Sequence, residues 1–274
     1  MQRRRCTNRA WALGVFLASL AGGTWAAGNE SKSTSAPLRV FWGDTHVHSS
    51  MSLDANLFGL TDLTPAAAYR FARGEAITAA NGATAQLARP LDFLVVSDHA
   101  EYLGIMPLVR AADPAIMTNP VARAWRETLT GGDATGFGRM MVEIGHSYED
   151  GKPLLSLPAG APSPWHANNR AADEANTPGV FTAMIGFEWT AMPGGDNLHR
   201  VVLLRDGAKR ANKVHPFSAF DSDDPRDLWS WLQDYEDNSG GHAMAIPHNS
   251  NLSGGRMFAI TDGDGRALDA DYAA

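Results

Sequence analysis

Four short apolar segments of the chain each lead into side chains of the types that bind metal ions. The segments and the groups that follow them are Leu38–Trp42 with His46 and His48, Asp92–Val96 with Asp98 and His99, Phe181–Phe187 with Glu188, and Ala243–Ile246 with His248. Ionisable groups rarely end apolar strands at several places unless they converge, so the pattern predicts a metal site. Helical stretches alternate with these segments, which indicates an α/β fold with the site at one edge of a sheet.

His199 differs from the other groups because it precedes its strand, Val201–Leu204, instead of following it. Residues 189–198 separate it from Glu188, and this interval is too short for a helical crossover between parallel strands. We therefore expect the two strands to pair antiparallel, which brings the end of one and the start of the other to the same edge. His242 begins the strand that precedes His248 and is left out of the site, because about 20 Å separates the two at roughly 3.3 Å per residue.

The rest of the chain predicts further helices and a long insertion. One helix is expected to begin at Thr64, and another is expected over Pro225–Tyr235. Residues 105–178 are rich in Pro, Gly and Asn. They predict a mostly irregular insertion over one face, with helical pieces around Val121–Leu129 and Gly138–Ile144.

The N-terminus has the pattern of an export signal. In residues 1–27, Arg3–Arg5 provide a basic start, Ala10–Gly22 form an apolar stretch, and small residues follow. Residues 28–37 are polar and predict a flexible linker, so the folded domain is expected to span 38–274. This organisation predicts a periplasmic or secreted protein without a membrane anchor after cleavage. An uncleaved anchor helix is the alternative, and the export route stays open.

Charge and cysteine content limit the partners and the ligands. The formal net charge of −7 argues against a nucleic-acid partner, because phosphate backbones bind basic surfaces. The single cysteine, Cys6, lies within the signal, so the exported protein would have no thiolate ligand. Histidines and carboxylates must then hold the metal, and such donors suit Zn, Mn or Fe.

The order of the motifs resembles the polymerase-and-histidinol-phosphatase (PHP) superfamily. Its successive motifs are similar to GDTHVHSSMSLDA, LDFLVVSDHAEYLG, GFEWT with NLHRVVLLRD, and IPHNSNLSGG. More narrowly, SDHAEYLG, GFEWT, LHR and PHNSNLSGG together resemble a bacterial family of exported PHP-like proteins labelled as a domain of unknown function. The resemblance runs from about Arg39 to Arg256. It implies a PHP-like distorted (β/α)7 barrel with its site at the carboxyl ends of the strands.

The resemblance also implies a ligand set for two to three divalent metal ions. In this set, His46, His48 and Glu188 would hold a first ion. Glu188 would also bridge to a second ion held by His199 and His248, and Asp54 and His99 would join at a third position. Asp44 and Asp98 would orient the imidazoles.

One element of the superfamily pattern is missing. Nothing after Arg256 resembles the late Asp-x-His motif that completes the first and third metal positions. Only four or five core strands are predicted, which is too few to close a barrel. The sequence therefore predicts a barrel that is incomplete at its C-terminus and a third metal position that lacks a ligand. It is interpreted as an N-terminal piece of a longer protein or as a truncated gene product.

A pair of close metal ions favours hydrolysis of an ester with an anionic centre. The predicted substrate is a small anionic ester, a phosphomonoester first and a sulfate ester second. Glu188, His99 and Asp98 are the predicted catalytic groups, and Arg200, Asn249 and Asn251 are predicted to hold the substrate oxygens. A non-catalytic metal-binding module or inactive fragment is the alternative, and amidohydrolase-like C–N hydrolysis is a weaker one. The oligomeric state is left open.

Overall fold

The computed structural model describes residues 39–79, 81–261 and 265–269 of the chain. The strands in these residues are β1 (Gly43–Val47), β2 (Ile77–Thr78), β3 (Thr84–Ala85), β4 (Phe93–Val96), β5 (Thr182–Trp189), β6 (Arg200–Leu204) and β7 (Ala243–Pro247). β2 and β3 form a small separate hairpin, and the other five strands form one sheet.

Helices surround this sheet. The α-helices in the described residues are α1 (Leu53–Leu57), α2 (Pro65–Ala72), α3 (Ile105–Arg110), α4 (Pro120–Gly131), α5 (Ala134–Glu149), α6 (Pro164–Ala175), α7 (Ala208–Ala211) and α8 (Pro225–Ser239). Short 3-10 turns occur at Pro193–Gly195, Ser250–Leu252 and Arg256–Phe258. α2, α4, α6 and α8 each begin with proline, and the residue before it caps the first turn through its side chain. The helices expected at Thr64 and at Pro225 are therefore confirmed.

The main sheet has the strand order β1-β4-β5-β6-β7. β1, β4 and β5 are parallel, while β6 is antiparallel to both β5 and β7. The sheet curls so that β1 approaches β6, which gives a mixed α/β fold with a five-stranded half-barrel. The antiparallel pairing expected around His199 is confirmed, since Glu188 pairs with Val201. The carboxyl ends of β1, β4, β5 and β7 consequently meet the start of β6 at one edge.

The two faces of the sheet differ in what covers them. Along β6, Val202 and Leu204 belong to the large core beneath α2, α6 and α8. Val201 and Leu203 point the other way and pack with Val95 in a small apolar cluster, which defines the inner face. Because directly paired residues of antiparallel strands share a face, Glu188 lies on the inner face with Val201.

The segment between β4 and β5 is more helical than its composition indicates. The predicted pieces correspond to α4 and α5, but the sequence reading missed α3 and α6. α6 packs against β5 and α2 in the main core and serves as the crossover between two parallel strands. It carries a buried Asn168, whose amide donates to the carbonyl oxygen of Val96 at 3.1 Å. Asparagine is a poor helix former, so local propensity concealed a helix that tertiary contacts stabilise.

The first strand lies later in the sequence than predicted. Leu38–Trp42 was expected to be the strand, yet β1 begins at Gly43, and Trp42 is 61% exposed. Pairing with β4 decides the position, because Gly43 lies opposite Phe93 and a Cβ at Gly43 would collide with the Phe93 carbonyl oxygen. A polar segment thus forms the strand, and His46 lies within it instead of beyond its end.

The predicted signal peptide, residues 1–27, and the linker, residues 28–37, lie outside the described residues. Within the described part of the chain, no helix is long and apolar enough to cross a membrane. The domain limits and the insertion over one face remain predictions.

Gly186 in β5 provides a test of the packing between β4 and β6. A Cβ at this position would lie 2.6 Å from Val95 Cγ1 and 2.7 Å from the Val202 carbonyl oxygen. We expect Gly186→Ala to lower the free energy of unfolding by about 1–3 kcal/mol, measured by urea denaturation. Gly138→Ala in α5 is the control, because nothing lies within 4 Å of the added methyl group and alanine favours the helix. A Gly186→Ala protein as stable as the wild type would contradict this packing.

Candidate metal centre

Glu188 is the centre of the predicted site. Its side chain is 1% exposed and lies one residue before the end of β5. His99 follows β4 and forms a parallel bridge with Glu188, while His199 immediately precedes β6. His248 follows β7, and its amide donates to the His199 carbonyl oxygen. Neighbouring strands thus place side chains that are distant in sequence around one carboxylate.

Five imidazoles contact this carboxylate. Glu188 Oε1 lies 2.7 Å from His199 Nδ1 and 2.8 Å from His248 Nε2. Oε2 lies 2.9 Å from His48 Nε2, 3.2 Å from His46 Nε2 and 3.2 Å from His99 Nδ1. The two oxygens therefore face different sets of histidines, as a carboxylate that bridges two ions would.

Hydrogen bonds alone cannot satisfy this arrangement. His46 Nε2 and His48 Nε2 lie 2.9 Å apart, and both approach Glu188 Oε2. Each nitrogen needs a proton to donate to the carboxylate, but two N–H groups then face each other at hydrogen-bond distance. A cation removes the conflict, because the oxygen and both nitrogens can then offer lone pairs to it. Ligand atoms at about 2.0–2.2 Å from one ion lie roughly 3 Å apart when they meet it at a right angle.

Asp54 extends the cluster on one side. Its Oδ1 lies 2.9 Å from His48 Nδ1, and its Oδ2 lies 3.7 Å from His99 Nε2. The Ala55 amide and the Ser52 hydroxyl both donate to Oδ1 at 2.6 Å. Three overlapping groups of ligand atoms could each hold an ion: His46 with His48 and Glu188, His48 with Asp54 and His99, and His99 with Glu188 and His199.

The pKa shifts show how strongly the cluster requires positive charge. Burial by itself would raise the pKa of Glu188, but His99 and the hydrogen bonds from the other histidines hold it far below its usual range. Burial likewise opposes ionisation of Asp54, and the hydrogen bonds from His48 and His99 lower its pKa. Burial would lower the pKa of His48, yet Asp54 and Glu188 raise it to about 10. The buried Glu188 and the partly exposed Asp54 therefore both favour positive charge at this site.

The two carboxylates that were predicted to orient imidazoles accept hydrogen bonds from backbone amides instead. Asp98 is buried and accepts hydrogen bonds from the Ser49 amide at 2.5 Å and the Ser49 hydroxyl at 2.7 Å. Asp44 accepts from the His46 amide at 2.8 Å. Both contacts fix the chain around His46 and His48, whereas no hydrogen bond to an imidazole is found for either carboxylate in the described residues.

Comparison with known proteins gives the family of the chain. Residues 35–274 match the profile of a family described as Protein of unknown function (DUF3604). The chain belongs to the DUF3604 family. No curated protein and no solved structure matches it. The DUF3604 match includes every residue of the histidine cluster, and no named relative confirms the PHP superfamily.

The predicted substrate-binding residues of the DUF3604 domain lie in different places. Arg200 pairs with Trp189 on the helix-covered face, opposite to Glu188. Its guanidinium lies 5.5 Å from the Trp189 ring and donates to the Leu198 carbonyl oxygen at 2.6 Å. The structure therefore does not bring Arg200 to the cluster. Asn249 and Asn251 are exposed in the turn that directly follows His248, so both lie within three residues of the cluster along the chain.

Sequence reasoning missed several groups behind the DUF3604 cluster. The hydroxyl of Ser52 lies 2.7 Å from His48 Nδ1, and the hydroxyl of Thr190 lies 2.5 Å from His99 Nδ1. Glu101 is fully buried next to Thr190. Each residue stands within three positions of a predicted site residue along the chain. That proximity was the available signal, but it does not show which neighbours turn toward the site.

Proposed function

We propose that the DUF3604 domain is a metal-dependent hydrolase of anionic esters, with phosphomonoesters as the first choice and sulfate esters as the second. The observation that carries the proposal is the Glu188 carboxylate, whose two oxygens face separate sets of imidazoles. Glu188, His46 and His48 would hold one ion, and Glu188, His199 and His248 would hold a second. His48, Asp54 and His99 offer a third position. The ions are Zn, Mn or Fe.

The ions would supply activation of water and stabilisation of charge on the ester oxygens. The chain's own residues set the charge of the site. Two divalent ions would bring four positive charges, and Glu188, the carboxylate they would share, would neutralise one of them when the imidazoles are neutral. The remainder favours a dianionic phosphomonoester over a monoanionic sulfate ester.

The residues have different roles in this proposal. Glu188 would hold both ions, and His99, which lies between Glu188 and Asp54, would act through the ion that it holds with Asp54. Asp98 contacts Ser49, and this contact favours a positioning role over direct participation in catalysis. Asn249 and Asn251 remain the proposed contacts to substrate oxygens.

The proposal extends to ancestry, location and partners. We infer that the half-barrel is related to the distorted (β/α)7 barrel of the PHP superfamily, because the ligand motifs follow the same order and lie at the carboxyl edge of the sheet. The signal pattern of residues 1–27 supports export to the periplasm or the medium. The net charge of −7 supports a small substrate over a nucleic acid.

A non-catalytic metal-binding module is the second candidate. Its support is the position of Arg200, which leaves the predicted cationic contact for the ester on the helix-covered face. This candidate predicts bound metal without turnover of any ester.

His46→Ala separates these functions and tests the ligand assignment. We expect the variant to lose one ion and its hydrolysis of p-nitrophenyl phosphate to fall by on the order of 100-fold or more. Metal content is measured by elemental analysis, and p-nitrophenyl sulfate is assayed in parallel with added Mn or Zn. His242→Ala is the matched control, because His242 precedes β7 and His248 of the cluster follows the other end of that strand.

Each result has a distinct meaning. A wild-type protein that binds no metal would contradict both candidates. Metal without turnover would favour the module, and unchanged metal content in the His46→Ala protein would contradict the assignment of that ligand.

A further inference from the structure

Two buried residues outside the ligand set form a connected path behind His99. Thr190 follows the last residue of β5, and its Oγ1 lies 2.5 Å from His99 Nδ1. The Thr190 amide in turn donates to Glu101 Oε1 at 3.2 Å. The path therefore runs from a carboxylate through a backbone amide and a hydroxyl to one nitrogen of the imidazole.

Glu101 has no role in the ligand set, yet its side chain is fully buried. Its Oε1 also accepts from the Ala219 amide at 2.5 Å, whereas its Oε2 has no hydrogen-bond partner in the described residues. Burying a carboxylate is unfavourable unless it is paired or hydrogen-bonded. The two hydrogen bonds that Oε1 accepts offset this cost in part, and they hold the end of β5 and the loop at Ala219 in fixed positions.

The contacts of His99 define which of its two ring nitrogens can bind a metal ion. Nδ1 lies next to the Thr190 hydroxyl and Glu188 Oε2, which both accept hydrogen bonds. If Nδ1 carries the proton, it can donate to these two acceptors, and Nε2 then keeps a lone pair. Nε2 is the nitrogen that lies 3.7 Å from Asp54 Oδ2.

We propose that Glu101 and Thr190 are positioning residues that orient His99 so that its Nε2 binds the ion shared with Asp54. Glu101 fixes the backbone of Thr190, and the Thr190 hydroxyl fixes both the orientation and the proton position of the imidazole. This inference rests on the proposed function, because it specifies how one of its ion positions is built. The competing arrangement is an ion bound through Nδ1 together with Glu188 and His199.

Thr190→Val is the direct test, because valine keeps the shape of threonine and removes only the hydroxyl. We expect the full-length variant to bind one ion about 10–100-fold more weakly in Co²⁺ and Zn²⁺ titrations. Thr190→Ser should restore the affinity, since serine keeps the hydroxyl. Thr182→Val is the matched control, because Thr182 is the exposed first residue of the same strand. The melting temperature of the metal-free proteins shows whether any loss comes from misfolding.

A second measurement does not depend on the variants. The ¹⁵N NMR spectrum of the zinc-loaded wild type should show a protonated Nδ1 and a metal-bound Nε2 for His99. Metal on Nδ1 would overturn the inference, as would wild-type affinity for every ion in the Thr190→Val protein. Both results would leave the proposed function intact, whereas a wild type without any metal would overturn the two together.

Glu101→Gln tests the far end of the path. The amide keeps an oxygen for the Thr190 and Ala219 amides, but it places an NH₂ group where the structure gives Oε2 no partner. We expect the same ion to be weakened and a Glu101→Gln/Thr190→Val double variant to lose less than the sum of the two effects. Fully additive effects would show that Glu101 acts on the site independently of Thr190 and would overturn its place in the path.

Discussion

The Glu188→Gln variant is expected to lose both principal metal ions and all measurable ester hydrolysis. Glutamine has nearly the shape of glutamate, so the change removes the negative charge and one acceptor oxygen while the cavity stays filled. Because five imidazole nitrogens lie within 3.2 Å of this carboxylate, no neighbouring group can replace it as the common anion. The loss of metal affinity should exceed the roughly 100-fold that removal of an orienting group costs.

Elemental analysis and p-nitrophenyl phosphate turnover measure this effect. Glu149→Gln provides the control, because Glu149 is exposed at the end of α5 and its replacement makes the same chemical change. A Glu188→Gln protein that retains two ions would refute the bridging role of the carboxylate. Retention of one ion would show that only one of its oxygens binds metal.

Removal of the metal from the wild type is expected to lower its melting temperature by about 8–16 °C. Ions present at a thousand times their dissociation constant stabilise the folded state by about 4.1 kcal/mol, and each kcal/mol shifts the melting temperature of a domain of this size by roughly 2–4 °C. The physical reason is that the carboxylate of Glu188 would remain buried, next to the partly exposed Asp54, after the ions leave. Differential scanning calorimetry with and without EDTA measures the shift, which added Zn or Mn should reverse.

The Glu188→Gln protein is also the control for chelation. Its melting temperature should hardly respond to EDTA, because it starts without the ions. An equal response of both proteins would mean that the chelator acts elsewhere. The absence of any response in the wild type would contradict a structural contribution of the metal.

The positions of the candidate ligands could be predicted because they depend on strand direction. A group that ends an apolar strand reaches the carboxyl edge whatever the exact strand limits are, so Glu188 and His248 were predictable. His199 was predictable because the short interval after Glu188 leaves antiparallel pairing as the solution for that hairpin. The confirmed hairpin shows that loop length and residue type were sufficient for this part of the site.

Features that depend on the exact limits of a strand were not predictable. Arg200 follows His199 directly, and a shift of one residue decides whether a side chain faces the cluster or the helices. β1 was placed too early because its polar sequence gives no apolar signal, and only its pairing with Phe93 reveals it. Thr190 and Glu101 were missed because their role comes from contacts between segments distant in sequence.

The strand order has a consequence for how the protein would acquire metal ions. The candidate ligands come from β1 and from segments adjoining β1, β4, β5, β6 and β7, so bound ions would act as cross-links between the first and last strands of the sheet. Bringing such distant segments together costs conformational entropy, and folding of the sheet has already met this cost before an ion binds. Tight binding would therefore wait until β7 has joined the sheet. Metal uptake would then report the last step of folding, and bound ions would hold the protein together from one edge of the half-barrel to the other.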